Sequence, residues 1–327
     1  MKYILDILIL VVGFVLLIKG ADWFVDGSAA LAKNFKVPGV IVGLTIVALG
    51  TSAPELAVST VAAIQGSNEI ALSNVVGSNI FNLMVVLGVC AVIHKVPVDR
   101  SILKRDFPFS IIITVMILFM TSYKVVFSDK LFSPSGMLED AGNVARWIGI
   151  ILIVLFVSYI TVLIVDARRH PENEEISDLL SIGKCIGLII LGIAMIVGGG
   201  EAVVRSAKSI AKAAGMSETL IDLTIVAVGT SLPELVTSIV AARKGETGLA
   251  VGNVIGSNIF NLLFILGVSS TIHPIAVNYA SVYDLIILIV FSMIVYIISF
   301  SKKTIGRFAG ILMLGLYIGD VVFAALR

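Results

Sequence analysis

Two stretches of this chain are near copies of each other. GTSAPELAVSTVAA runs from Gly50 to Ala63, and GTSLPELVTSIVAA runs from Gly229 to Ala242. The same shift of 179 residues carries SNVVGSNIFNLMVVLGV (Ser73 to Val89) onto GNVIGSNIFNLLFILGV (Gly252 to Val268). Asn74 meets Asn253, Ser78 meets Ser257, Asn82 meets Asn261 and His94 meets His273. The correspondence covers about 20–98 and 199–277 without a gap. A fold for this chain must therefore accommodate one structural unit twice.

Composition gives the solvent. Of 327 residues, 58% are hydrophobic and 14% charged, whereas soluble domains are about half apolar and roughly a quarter charged. Ten segments approach the roughly 20 residues that a spanning helix needs: about 3–31, 38–64, 69–92, 105–122, 146–165, 182–211, 217–242, 247–270, 282–300 and 306–326. The first resembles a secretory signal, but no convincing cleavage site follows it and its tail takes part in the repeat. The expectation is an all-α membrane protein of ten transmembrane helices. One five-helix repeat lies in 1–165, a polar cytoplasmic linker in 166–181, and a second five-helix repeat in 182–327. Five spans is an odd number, so matching helices point opposite ways, which is the inverted construction of many secondary transporters. With both termini outside, the inner loops hold Lys33, Lys36, Lys95, Arg100, Lys104, Arg105, Arg168, Arg169, Lys302 and Lys303 among others, in clear excess over the outer side. Net charge is +1, which leaves no electrostatic footprint for nucleic acid. Cys90 and Cys185 sit in apolar runs and read as core residues rather than a disulfide or metal pair.

The repeated motif breaks a membrane helix where it places a carboxylate. Proline removes the hydrogen bond to the carbonyl four residues back and pushes that carbonyl aside. Pro54 thus frees Gly50 and disturbs Thr51; Pro233 does the same to Gly229 and Thr230. Glycine before each break lets the backbone bend. Free carbonyls at membrane depth are tolerated where they face protein, water or an ion. Glu55 and Glu234 stand beside them, and an intramembrane acid is costly unless it has a partner or a function. No Lys or Arg occurs between Lys36 and Lys95, nor between Lys212 and Arg243. Ser78 and Asn82, spaced i and i+4, share a helix face, as do Ser257 and Asn261. Their small neighbours also favour close helix packing, and Asn79 and Asn258 suit interhelical hydrogen bonds. All these ligands are oxygen. Hard donors suit Ca²⁺, Na⁺ or Mg²⁺, and Ca²⁺ suits a flexible cage of two carboxylates better than Mg²⁺.

In ALGTSAPE with GSNIFN, and AVGTSLPE with GSNIFN, the chain resembles the sodium/calcium exchangers of the calcium:cation antiporter superfamily, in a prokaryotic form. The resemblance implies Na⁺ exchanged for Ca²⁺ across the cell membrane by alternating access, with the first and sixth helices sliding against a bundle that holds the site. It implies a calcium position made by Glu55, Glu234 and the carbonyls of Thr51 and Thr230. One sodium position would use the Ala48 carbonyl, Ser52, Ser78 and Glu234, and its mirror the Ala227 carbonyl, Ser231, Ser257 and Glu55. Asn82 and Asn261 would line the centre. Some family members carry Asp at the position of Asn261, so the charge here rests on two glutamates and potassium coupling is disfavoured. The expectation is a transporter and not an enzyme, with no cofactor, Ca²⁺ and Na⁺ as substrates, the bilayer as surroundings and no obligate protein partner. A Ca²⁺/H⁺ or other cation antiporter of the same fold is the runner-up. A passive channel fits the inverted breaks less well, and a membrane hydrolase lacks a serine–histidine pair within the motifs.

Overall fold

Apolar runs too long for a soluble core become bilayer spans when every backbone group must be bonded within its own segment. Among the described residues eight helices are long and apolar enough to cross a membrane, and a bent pair makes a ninth candidate. The structure is a computed structural model that describes residues 2–66, 68–127, 136–137, 139–169, 180–214 and 227–326. Most of the expected linker, and the expected seventh span as far as residue 226, lie outside the described residues.

In chain order the elements are α1 (Lys2–Phe35), α2 (Gly39–Val42), a π-helical turn (Gly43–Val47), α3 (Ala48–Thr51), α4 (Ala53–Gln65) and α5 (Asn68–Phe81). A second π turn (Asn82–Val86) leads into α6 (Leu87–Ile93). Strand β1 (Val96–Pro97), a third π turn (Ile102–Asp106), α7 (Phe107–Val126), β2 (Asp140–Val144) and α8 (Arg146–Arg169) follow. Then come α9 (Ile182–Ala213), α10 (Ala227–Thr230), α11 (Leu232–Arg243), α12 (Thr247–Phe260), a fourth π turn (Asn261–Ile265) and α13 (Leu266–Ile272). The chain ends with β3 (Ile275–Asn278), α14 (Tyr279–Lys302), β4 (Thr304–Ile305) and α15 (Arg307–Leu326).

These elements form two compact units, each drawing on both halves of the sequence: 1–54 with 165–254, and 55–164 with 255–327. In the first unit α1 packs along α9. Gly13, Gly20 and Gly27 recur every seven residues, so they share one face of α1. A β-carbon on Gly13 would lie 3.0 Å from the Gly199 carbonyl oxygen, one on Gly20 2.9 Å from that of Gly192, and one on Gly27 2.9 Å from that of Cys185. The partners descend in number as the glycines ascend, so the two helices run antiparallel. Small residues let membrane helices approach backbone to backbone, where packing and not hydrophobicity holds them. The opposite face of α1 exposes Leu5, Leu8, Val12 and Val15, as a lipid-facing surface does.

The α1 helix reaches Phe35, further than its apolar run suggests. The polar part is matched: Lys244, which caps the end of α11, places Nζ 2.5 Å from Asp22 Oδ1 and 2.7 Å from Asp26 Oδ1. Partial burial works against the Lys244 charge, but the hydrogen bonds and charges of Asp22 and Asp26 outweigh it, and its pKa is raised.

In the second unit two short antiparallel strand pairs tie interhelical loops together. Val96 pairs with Ile305 and Pro97 with Thr304. Val144 pairs with Ile275, and the ladder slips by one residue at Gly142. Gly142 is required there, since its φ is +148° and a β-carbon would collide with the Thr121 carbonyl oxygen. The α6–α7 and α14–α15 connections therefore share one end of this unit, and the α7–α8 and α13–α14 connections share the other. Lys95, Arg100, Lys104, Arg105, Lys302, Lys303 and Arg307 gather at the first end, against Lys124 and Arg146 at the second. The spans carrying the two GSNIFN motifs are the most enclosed: 72% of the apolar stretch within Ala71–Ile93 and 94% of that within Thr247–Ile272 are buried, against 11% for α15.

Candidate functional site

Both helix breaks fall at the repeated motif. The axis bends by 50° between Gly39–Thr51 and Ala53–Gln65. The residue out of helical geometry is Ser52 in one copy (φ −83°, ψ 12°) and Ser231 in the other (φ −93°, ψ 8°). Pro54 and Pro233 then stand in the first turn of the new helix, where a missing N–H costs nothing. Gly50 and Gly229 stay helical. A β-carbon on Gly50 would lie 2.9 Å from the Phe24 ring, and one on Gly229 would strike the Val204 side chain. Their lack of a side chain lets α3 and α10 lie close to α1 and α9 respectively. The Ala48 carbonyl accepts the Ser52 amide at 3.1 Å, which closes the last turn before the first break.

Glu55 and Glu234 occupy the first turns of α4 and α11, and both are fully buried. A helix N-terminus carries about half a positive elementary charge and stabilises an anion placed there. In the first unit Ser52 Oγ donates to Glu234 Oε1 at 2.7 Å. In the second unit Ser78 Oγ donates to Glu55 Oε1 at 3.5 Å.

Each glutamate turn is also held from behind. In the second unit Asn74 Nδ2 donates to Ser59 Oγ at 2.9 Å and to the Glu55 backbone carbonyl at 3.4 Å. In the first unit Asn253 Nδ2 donates to Ser238 Oγ at 2.9 Å and to the Glu234 carbonyl at 3.5 Å. These two clamps are the same three residues shifted by one repeat. In the first unit Thr51 Oγ1 adds a 3.0 Å bond to Asn253 Oδ1. Sequence reasoning paired Asn74 with Asn253 but gave neither a role; their position nineteen residues after the glutamate in both copies was the available signal.

The central amides share a different environment. Asn79 and Asn258 exchange side-chain to backbone hydrogen bonds of 3.1 and 3.2 Å, the interhelical pair expected of them. Asn261 Nδ2 donates to Asn79 Oδ1 at 3.0 Å. Among the described residues Asn82 makes no side-chain hydrogen bond at either amide atom, and Asn261 Oδ1 accepts none, although all three atoms are buried. Buried amides without partners are costly, so these oxygens are available to a ligand. Asn82 and Asn261 each open a π-helical turn, and such turns shift the backbone register where function places side chains. Ser257 is fully buried in the second unit, and Ser231 and Thr230 belong to the first. Thr230 Oγ1 is buried and makes no hydrogen bond among the described residues. Ala227 begins α10.

Comparison with known proteins agrees with these motifs. The family model described as "Sodium/calcium exchanger protein" matches residues 5–165 and 184–326. "Putative antiporter CaxA" of Alkalimonas amylolytica is 37% identical over 83% of this chain and 82% of its own length. "Sodium/calcium exchanger MaX1" of Methanosarcina acetivorans is 32% identical over 97% of each chain. A solved structure of the sodium-calcium exchanger NCX_Mj superposes with a TM-score of 0.82 at 32% identity, covering 99% of this chain and all of the other. The chain is a multi-pass, all-helical membrane antiporter with the fold of NCX_Mj, and it belongs to the sodium/calcium exchanger family.

Proposed function

We propose that the protein exchanges Na⁺ for Ca²⁺ across a prokaryotic cell membrane by alternating access. The ligands are the carboxylates of Glu55 and Glu234, the carbonyls of Thr51, Thr230, Ala48 and Ala227, the hydroxyls of Ser52, Ser231, Ser78 and Ser257, and the amides of Asn82 and Asn261. The observation that carries this reading is the twice-made glutamate turn. A fully buried carboxylate begins a helix just after a break, with a serine donating to it and an asparagine clamping its backbone, in both copies. A structural acid would need this once. Hard cations that compete for the same oxygens need it at two ligand sets of equal chemistry. The antiparallel run of α1 and α9, which are counterparts in the repeat, supports a ten-helix arrangement of two inverted five-helix repeats, 1–165 and 182–327 around the 166–181 linker. The basic residues at one end of the second unit support both termini lying outside.

The test is radiolabelled Ca²⁺ uptake into proteoliposomes loaded with Na⁺, Li⁺ or K⁺, or acidified inside. Uptake driven by internal Na⁺ and collapsed by dissipating the Na⁺ gradient is the expected result. Uptake driven equally well by a proton gradient without Na⁺ replaces this reading with Ca²⁺/H⁺ exchange. Uptake without any opposed gradient marks a channel.

A further inference from the structure

Outside the glutamate turns, the second unit has a surface groove between the start of α7 and the middle of α8. Its volume is about 370 Å³, and Lys104, Arg105, Phe109, Ile112, Tyr159 and Val162 are among its lining residues. Its chemistry changes along its length. At the membrane-interface end stand an exposed Lys104 and a partly exposed Arg105. From Lys104 to Ile112 a helix rises about 12 Å, and over that distance the lining becomes mainly apolar, with Ile112 61% exposed and Leu155 among the lining residues.

The floor of the groove is built and fixed. Phe109 and Tyr159 stack with ring centroids 5.1 Å apart and planes 12° from parallel. Tyr159 donates to the buried Asp106 Oδ1 at 3.0 Å. Asp106 also accepts from Arg105, Nε to Oδ1 at 2.8 Å and Nη2 to Oδ2 at 3.2 Å, which holds the guanidinium at the groove's head. The Asp106 carboxylate offsets one of the two cationic charges. Among the lining residues Lys104 is the exposed cation at the head of the groove.

We propose that this groove binds one anionic phospholipid, with its phosphate at Lys104 and Arg105 and an acyl chain lying over Phe109, Ile112 and Leu155. The charge fits a lipid with one phosphate and no compensating ammonium. A zwitterionic lipid would bring a cation to a wall that offers it no exposed carboxylate. Basic pockets between transmembrane helices recognise anionic headgroups in this way, with each Lys or Arg near the surface contributing about fivefold in affinity. This inference stands apart from the exchange site and does not depend on which ions are carried.

Native mass spectrometry of the purified full chain, titrated with phosphatidylglycerol or phosphatidylcholine, tests it. Wild-type protein should retain one phosphatidylglycerol at least about fivefold more strongly than phosphatidylcholine. Lys104→Gln, at an exposed position, should remove about fivefold of that preference. Ser158→Trp, which fills the groove without altering charge, should abolish retention of the tightly bound lipid. Lys303→Gln, at the same end of the unit but outside the groove, should change nothing. Excess glycerol phosphate should not displace the lipid, because the headgroup alone lacks the chain. Equal binding of the two lipids overturns the proposal. So does an equal effect of Lys104→Gln and Lys303→Gln, retention unaffected by Ser158→Trp, or displacement by glycerol phosphate.

Discussion

The Ser52 hydroxyl donates to the Glu234 carboxylate at 2.7 Å, across 182 residues of sequence. The residue that breaks the second helix is thereby bonded to the acid that begins the helix after the other break. A hydrogen bond to a charged acceptor contributes about 1.5–3 kcal/mol, enough to orient the carboxylate oxygen. Replacing Ser52 by Ala should leave Ca²⁺ uptake at saturating Na⁺ largely intact but raise the Na⁺ concentration needed for half-maximal exchange several-fold. Flux measured against internal Na⁺ checks this. Equal loss of Ca²⁺ binding and Na⁺ activation would count against distinct sodium positions.

Glu55→Gln and Glu234→Gln should each reduce Na⁺-driven Ca²⁺ uptake to background. Each is isosteric and removes one negative charge that no neighbouring acid in its turn replaces. Reconstituted flux and Ca²⁺ binding by calorimetry measure the effect. A variant that keeps more than about half of wild-type flux removes that glutamate from the ion ligands.

Asn253→Ala should cost more stability than Asn74→Ala. Both lose the serine and carbonyl bonds of the clamp, but only Asn253 is shown accepting from a threonine hydroxyl, that of Thr51. At about 1 kcal/mol for each neutral bond, and more where a buried partner is left bare, Asn253→Ala should be the worse by about 1–2 kcal/mol. Thermal unfolding in detergent compares the two, and the reverse order would mean that the clamp is not what holds these turns.

How much of this was legible in the residues differs from feature to feature. Proline and glutamate announce a break with a charge, and the breaks are where PEL predicts, because ring geometry acts locally. The hinge itself was less legible. The non-helical residues are Ser52 and Ser231, while Gly50 and Gly229 serve close packing against Phe24 and Val204. A glycine that bends and a glycine that yields space look alike in sequence. The first span was placed at about 3–31, close to the Lys2–Phe35 seen; what stayed hidden was how it carries Asp22 and Asp26, which find their partner at Lys244, and no local pattern reveals that. The two compact units were hidden for the same reason: a sequence repeat records duplication, whereas contacts record packing.

Lys244 offers a pH-dependent check on that partnership. Its pKa is raised in the folded protein. Its contribution is therefore fully present below the ordinary lysine value near 10.4 and is lost as pH rises through the raised one. Lys244→Gln should lower the unfolding temperature slightly at neutral pH, within the limit of about 1 kcal/mol for a partly exposed ion pair. The gap between variant and wild type should close in strongly alkaline buffer. A gap that persists there would assign the loss to packing of the side-chain stem.

Exchange should move charge. With Asn82 and Asn261 neutral, two ionised glutamates are cancelled by one Ca²⁺, while three Na⁺, as the family resemblance implies, would leave one positive charge to cross the membrane. A full elementary charge is worth about 2.3 kcal/mol per 100 mV. An inside-positive potassium-diffusion potential, set with valinomycin, should speed Ca²⁺ uptake into Na⁺-loaded vesicles. Flux that ignores the potential favours two Na⁺ per Ca²⁺.

The π turns at Asn82–Val86 and Asn261–Ile265 stand at matching places in the two repeats. A π turn is an α-helix holding one surplus residue. Both repeats therefore carry the same surplus at the same place, directly after GSNIF. Straightening Asn82–Val86 into regular α-helix while keeping every residue would turn α6 by about 100° relative to α5, moving the Gly88 face away from Gly310, which it now meets backbone to backbone. The extra residue therefore acts as a phase setting between the half of the span that carries GSNIF and the half that meets Gly310, and the second repeat holds the same setting at Asn261–Ile265.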